Sequence, residues 1–192
     1  MMKYTERLLK NRRFLQVQRE IREDEAERIY CHHELEHGLD VCRISWIMYL
    51  EDQLNEKQND CREDPDSRYH QEEENLENRQ ISREDIKDRL YVTGLLHDIG
   101  RSVQYRTGEH HSTAGAALAG QILREIDYPE NWIRETVDFI RNHHGRQNIY
   151  TDKYSVGYYT ERADQLSRNC FCCPAADTCK WKTEERNQTI RC

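Results

Sequence analysis

The sequence has 192 residues, of which 34% are charged, and its formal net charge is -7 at pH 7. This length predicts one compact domain, and the mean hydropathy of -1.08 predicts a lean hydrophobic core. The acidic balance argues against broad nucleic-acid binding. A small phosphorylated substrate remains compatible with it, because a metal or local cations can hold phosphate in an acidic protein.

The predicted elements are helices throughout, because glycine (8) and proline (3) are sparse and no alternating β-branched run occurs. Residues 1–29 are highly charged and predict one or two surface helices. The next predicted helix runs from Glu34 to Leu54. Its apolar positions recur at steps of three or four and predict a buried face made of Leu35, Leu39, Cys42, Trp46, Leu50 and Leu54.

Residues 55–80 are acidic and polar, which predicts a mobile insertion. Ser82 and Asp85 then resemble a capping box at the start of a helix that delivers His97 and Asp98 near its end. A short loop leads to a helix rich in small residues, which Ser112 is expected to cap.

Pro129 is expected to start another helix, which ends at Gly145 after His143 and His144. A last helix over about 156–168 presents Asp164. Residues 169–192 form a Cys-rich tail that is too short for a hydrophobic core of its own, so it needs a metal or docking against the bundle.

His97 and Asp98 carry the strongest chemical signal, because they end the apolar run LLHDIGR. Side chains at this position face the inner wall of a bundle, where an isolated carboxylate is costly. A divalent cation is a suitable partner for this His-Asp pair.

Five segments in chain order, EHGLDV, LLHDIG, EHHSTAGA, IRNHHG and ERADQLSR, together resemble the HD-domain superfamily of metal-dependent phosphohydrolases. The resemblance covers about residues 30–180 and implies an all-α, single HD-type helical bundle over 30–168, with 1–29 and 169–192 as N-terminal and C-terminal extensions. It also implies that His37, His97, Asp98 and Asp164 bind a metal. By similarity to bimetallic members, His111 and His143 join this set, with His110 and His144 as ambiguous neighbours.

The resemblance further implies catalytic roles for Asp98, which could bridge two ions, and for Arg101, which would contact phosphate. Imidazole and carboxylate ligands suit one or two ions of Fe, Mn, Zn, Co or Mg. Such ions activate water and neutralise phosphate charge. The expected reaction is therefore hydrolysis of a phosphorylated small molecule, with a nucleotide or dinucleoside polyphosphate as the leading substrate class.

Two other functions remain open at this stage. The same six ligands would suit a di-iron oxygenase, and the chain could instead be a regulatory module that senses a nucleotide or an oxidant. The first 20 residues contain no continuous apolar segment typical of a signal peptide, and no stretch is long enough for a membrane span. We therefore expect a cytoplasmic protein with no membrane partner.

The Cys-rich tail carries a second candidate site, because Cys170, Cys173 and Cys179 have C-x2-C-x5-C spacing. Three soft ligands suit zinc or an iron-sulfur cluster once a fourth is added. The sequence offers Cys31, Cys172 or Cys192 as that fourth ligand. A resemblance to bacterial HD proteins with a Cys-rich C-terminal extension favours Cys31, while free reduced thiols in a flexible tail are the alternative.

Overall fold

The structure is a computed structural model that describes residues 1–63, 81–143 and 150–190, without the side chains of 57–63. No β-strand occurs in these ranges, so the all-α prediction is confirmed. Within them, no helix is both long and apolar enough to cross a membrane. The helices are α1 (Lys3–Leu8), α2 (Arg12–Asp24), α3 (Leu35–Glu63), α4 (Arg83–Leu96), α5 (Arg101–Thr107), α6 (His111–Glu125), α7 (Glu130–Asn142) and α8 (Val156–Leu166).

Helix α3 packs against α4 and α8 and forms the centre of the bundle. The prediction of its buried face is largely confirmed, because Cys42 is fully buried and the other predicted residues except Leu54 pack against the hydrophobic clusters. The centre of that face is shifted by about one position along the helix, since the most buried side chains are Val41, Cys42, Ser45 and Tyr49. Small residues explain the difference. A Cβ at Gly38 would lie 3.5 Å from the carbonyl oxygen of Gly94, so the two backbones approach closely along this line. The larger predicted residues therefore flank the contact, and Leu54 is exposed.

Helices α1 and α2 belong to the same core, so the prediction of surface helices over 1–29 needs correction. Asn11 caps α2 by accepting a hydrogen bond from the backbone of Phe14, and Phe14, Val17 and Ile21 are buried in the main hydrophobic cluster. Their three-four spacing gives α2 an apolar stripe that the surrounding charges obscure in the sequence.

The connection between α4 and α6 is a helix, α5, where a loop was predicted. Ser82 caps α4 as predicted, since its hydroxyl accepts from the backbone of Asp85. The cap of α6 is His110, whose ring accepts from the backbone of Ser112, so the assignment of Ser112 as the cap was wrong. A Cβ at Gly100 would meet the carbonyl oxygen of His111 at 2.0 Å. This close approach brings the His97-Asp98 turn against the start of α6.

Two predicted boundaries also differ from the structure. Helix α3 continues to Glu63, which is past the predicted start of the acidic insertion, and α8 ends at Leu166. The rest of the insertion, 64–80, lies outside the described residues, as do His144, Gly145 and Cys192. The tail folds back on α8, where the Asn187 side chain donates to the carbonyl oxygens of Gln165, Leu166 and Arg168.

Candidate metal centre

Three helices deliver the first group of possible metal ligands to one point. His37 lies in the first turn of α3, His97 follows the last residue of α4, and Asp164 lies near the end of α8. Nε2 of His37 is 3.2 Å from Nε2 of His97 and 3.3 Å from Oδ1 of Asp164. All three ligand atoms lie within 4.8 Å of one another, which is close enough for one cation to contact them all.

The other nitrogen of each histidine ring is oriented by a hydrogen-bond partner. Nδ1 of His97 lies 2.7 Å from the carbonyl oxygen of Gly94, and Nδ1 of His143 lies 2.8 Å from that of Ile140. A carbonyl oxygen only accepts, so Nδ1 carries the proton in both rings and donates it. A metal that replaces the Nε2 proton of such a ring meets a lone pair there, which is the arrangement that metal-binding histidines use.

Asp98 joins this group to a second one. Its Oδ2 lies 3.2 Å from Nε2 of His97, and its Oδ1 lies 3.8 Å from Nε2 of His111. Asp98, His111 and His143 form the second set whose ligand atoms lie within 4.8 Å of one another, and all three residues are buried. The two oxygens of one carboxylate thus face two neighbouring groups, as a bridging ligand would.

The electrostatics of the first group favour a cation. Burial would lower the pKa of His97, but the carboxylates of Asp98 and Asp164 raise it to about 10. Burial would raise the pKa of Asp164, but His37 and His97 hold it well below its usual value. The centre therefore keeps the Asp164 carboxylate ionised and attracts positive charge, which a divalent metal supplies better than a proton. The donor chemistry fits a metal ion.

The structure separates the predicted histidines that are neighbours in sequence. His111 is 5% exposed and faces Asp98, whereas His110 uses its ring to cap α6 and is exposed. His143 is buried beside His97, and His144 lies outside the described residues. This placement favours His111 over His110 as a ligand.

Arg101 lies beside the centre and forms an ion pair with Asp98. Its Nε donates to Oδ1 of Asp98 at 2.9 Å, and its side chain lines the adjoining cavity. One edge of the guanidinium is therefore engaged with a candidate metal ligand. The predicted contact between Arg101 and phosphate stays a prediction.

A cavity of about 720 Å³ opens above the centre, with Asp98, His111, His143 and Asp164 among the residues that line it. Positively charged side chains surround the same cavity, namely Arg28, Arg101, Arg168 and Lys180. Tyr30 and Trp181 also line it, as do Cys31 and Cys179. Cys170 and Cys173 line a neighbouring cavity together with Cys31 and Cys179.

Glu161 is a cavity residue that the sequence reasoning missed. It is 5% exposed, lies one turn before Asp164, and neither of its carboxylate oxygens accepts a hydrogen bond from the described residues. The guanidinium group of Arg162 lies 4.0 Å from one of these oxygens. The signal was present in the spacing of ERADQLSR, because residues three apart on a helix share one face.

Comparison with known proteins agrees with this geometry. A family described as the HD domain matches residues 67–181, which is more than half of the chain. The chain belongs to the HD-domain family. A protein from Clostridium beijerinckii, described as uncharacterized, is 30% identical over 166 residues, covering 86% of this chain and 84% of that protein. No solved structure gives a significant match.

HD domains are generally metal-dependent hydrolases. The family match contains His97, Asp98, His111, His143 and Asp164, but it begins after His37. The support for including His37 in the centre is therefore structural. Helix α3 brings Nε2 of His37 to 3.2 Å from Nε2 of His97.

Proposed function

We propose that the chain is a phosphohydrolase that binds two divalent metals and hydrolyses a nucleotide or dinucleoside polyphosphate. The observation that carries the proposal is the position of two His-Asp groups, joined through Asp98, at the base of a cavity lined by cations. His37, His97 and Asp164 would hold one ion, His111 and His143 the other, and Asp98 would bridge them. The bound metals would supply an acidified water and neutralise charge on the phosphate.

Two residues around the centre have further proposed roles in the hydrolysis. Hydrolysis requires water to attack phosphorus and lose a proton, while a P–O bond breaks and the leaving oxygen departs. Glu161 is proposed to accept the proton of the attacking water, because it is a buried carboxylate of the cavity whose oxygens accept no hydrogen bond within the described ranges. Arg101, fixed by its ion pair with Asp98, is proposed to orient the phosphoryl group.

The cavity lining supports a substrate larger than a simple phosphate monoester. Arg28, Arg168 and Lys180 line the cavity beyond Arg101 and suit the additional phosphates of a polyphosphate chain. Tyr30 and Trp181 add aromatic surface that suits a nucleobase. The cavity volume of about 720 Å³ lies within the usual range for small-molecule sites.

The first experiment is an assay of the purified protein with Mn, Fe, Co or Mg against ATP, AMP, a dinucleoside tetraphosphate and p-nitrophenyl phosphate. We expect hydrolysis that depends on added metal, with the polyphosphate nucleotides preferred. Asp98→Asn should abolish turnover. Absence of phosphate or nucleotide release with any of the metals, once elemental analysis confirms that metal is bound, would contradict the proposal. Turnover that requires oxygen and two irons would instead identify an oxygenase.

The nucleotide preference has its own matched test. Trp181→Leu should raise KM for the nucleotides several-fold and leave KM for p-nitrophenyl phosphate unchanged. Phe171→Leu is the control, because Phe171 is an exposed aromatic residue of the same tail that does not line the cavity. Equal effects of the two substitutions would show that Trp181 does not contact the base.

A further inference from the structure

The Cys-rich tail encloses a second cavity, whose cysteines take no part in the proposed hydrolysis. This cavity measures about 770 Å³, and Cys31, Cys170, Cys173 and Cys179 line it together. Cys31 precedes α3 and the other three follow α8, so residues far apart in sequence converge here. Burial raises the pKa of the Cys31 thiol, and the neighbouring Cys170 and Cys173 raise it further.

The tail has almost no apolar interior of its own. Ala175 is the single buried residue in the described range 169–190, and Phe171 is 44% exposed. Short 3-10 turns at Cys170–Cys172, Ala176–Thr178 and Thr183–Glu185 supply the only regular structure in that range. Hydrogen bonds from Asn187 to the end of α8 and from Tyr30 to Thr178 hold the tail against the bundle. A segment of this kind generally depends on a metal for its fold.

The arrangement of the four thiols distinguishes between metals. Zinc binds sulfur at roughly 2.3 Å, so four thiolates around one zinc ion would lie roughly 3.8 Å apart. Among the described residues, the two His-Asp sets are the groups of three or more possible ligands whose ligand atoms all lie within 4.8 Å of one another. No group of three or more described cysteines meets this limit. An iron-sulfur cluster holds its thiolates farther apart, because irons and sulfides occupy the space between them.

Positive charge also surrounds this cavity. Arg28, Arg168 and Arg186 line it, and Arg186 is fixed by a hydrogen bond to the carbonyl oxygen of Ala176. Four thiolates and the sulfides of a cluster bring negative charge that these guanidinium groups offset.

We propose that Cys31, Cys170, Cys173 and Cys179 bind one four-iron, four-sulfide cluster that fastens the tail to the start of α3. Cys31 precedes His37 by six residues, and Cys170 follows Asp164 by six. The cluster therefore joins the two chain segments that carry these candidate metal ligands. This site is independent of the hydrolytic chemistry, since it shares no ligand with the His-Asp centre.

The test is anaerobic purification of the full chain, followed by a visible absorption spectrum and measurement of iron, zinc and acid-labile sulfide. We expect a broad visible absorption and about four sulfides per chain. Sulfide is the decisive quantity, because iron could also occupy the His-Asp centre. Zinc without sulfide, or neither zinc nor sulfide, would overturn the proposal.

Substitutions in the same tail identify the ligands. Cys31→Ser and Cys170→Ser should each lose sulfide, whereas Cys172→Ser should keep it, since Cys172 is exposed and its thiol donates to the carbonyl oxygen of Asn169. Circular dichroism controls for folding. Loss of sulfide in Cys172→Ser with retention in Cys31→Ser would overturn the ligand set. His97→Ala should keep sulfide, which separates this proposal from the proposed hydrolase activity.

Discussion

The hydroxyl of Ser167 lies 3.4 Å from Nδ1 of His37. The same hydroxyl donates to the carbonyl oxygen of Asp164 at 2.7 Å, so its oxygen can accept the Nδ1 proton of the histidine. One serine at the end of α8 thereby orients His37 and connects it to the turn of helix that carries Asp164.

Ser167→Ala should lower the affinity for the first metal by at least about 10-fold, because partners of this kind orient the ligand ring. Ser167→Thr should restore most of the affinity. A titration with a competing chelator measures both. Ser155→Ala provides the control, since it removes the cap at the other end of α8. It should cost about 1 kcal/mol of stability without changing metal affinity. Equal affinities in all four proteins would contradict the assigned role.

A histidine substitution in one of the two His-Asp groups should remove the ion of that group and leave the other ion bound. His111→Ala removes a donor from the second group and leaves the three ligand atoms of the first group in place. We therefore expect elemental analysis to find about one ion per chain in this variant and about two in the unmodified protein. Asp98→Asn should weaken both ions, because its oxygens face both groups. A stoichiometry that is the same in His111→Ala as in the unmodified protein would argue against the second ion.

Glu161→Gln should lower kcat by about 100-fold or more and leave the metal content unchanged, because the amide cannot accept a proton. Glu135→Gln is a suitable control, since Glu135 pairs with Arg89 away from the cavity. An unchanged kcat in Glu161→Gln would exclude Glu161 as the proton acceptor.

The carboxyl group of Glu25 makes the stability of the fold depend on pH. The carboxylate is 1% exposed and accepts hydrogen bonds from His33 and from the hydroxyl of Tyr105. Burial would raise its pKa, but these partners lower it to about 2. A depressed carboxyl pKa stabilises the fold at pH values above about 4.3, the ordinary pKa of Glu. That contribution should be lost as the pH falls from there towards 2.

Glu25→Gln tests this contribution. Loss of charged hydrogen bonds should cost about 2 kcal/mol near neutral pH. Denaturant unfolding measures the free energy of unfolding of both proteins. The difference between them should become smaller as the pH falls from 4.3 to 2, because the carboxyl group of Glu25 in the unmodified protein then becomes neutral. A difference that does not change with pH would contradict this assignment.

The buried Asp88 should hold the N-terminal helix in place. Its carboxylate accepts hydrogen bonds from the backbone of Tyr4 at 2.8 Å, and from both the backbone and the hydroxyl of Thr5. Asp88→Ala should cost about 2 to 3 kcal/mol, because it leaves buried donors without an acceptor. Arg43→Ala is the control: its ion pair with Asp40 is exposed, so thermal unfolding should hardly change.

The order of helices and most of the centre could be predicted from sequence, because the His-Asp motif follows an apolar helix and the other donors occur in order. The choice between His110 and His111 could not, since it depends on which ring caps α6. Neither could the burial of α2. Phe14, Val17 and Ile21 lie among so many charged residues that their stripe becomes evident only when α2 is packed against the bundle. Glu161 was missed because the family pattern draws attention to Asp164 alone.

The segment between α2 and α3 supplies Arg28, Tyr30, Cys31 and His33 to the wall of the cavity above the candidate metal centre, and it precedes the family match. Most of the proposed metal ligands lie within that match, as do Arg101, Arg168, Lys180 and Trp181, which would also contact the substrate. Only one part of the wall that would contact a substrate is thus separate in sequence from the residues that would cleave it. Exchanging residues 1–34 between two such proteins should therefore change substrate preference in part, while the metal ligands stay the same.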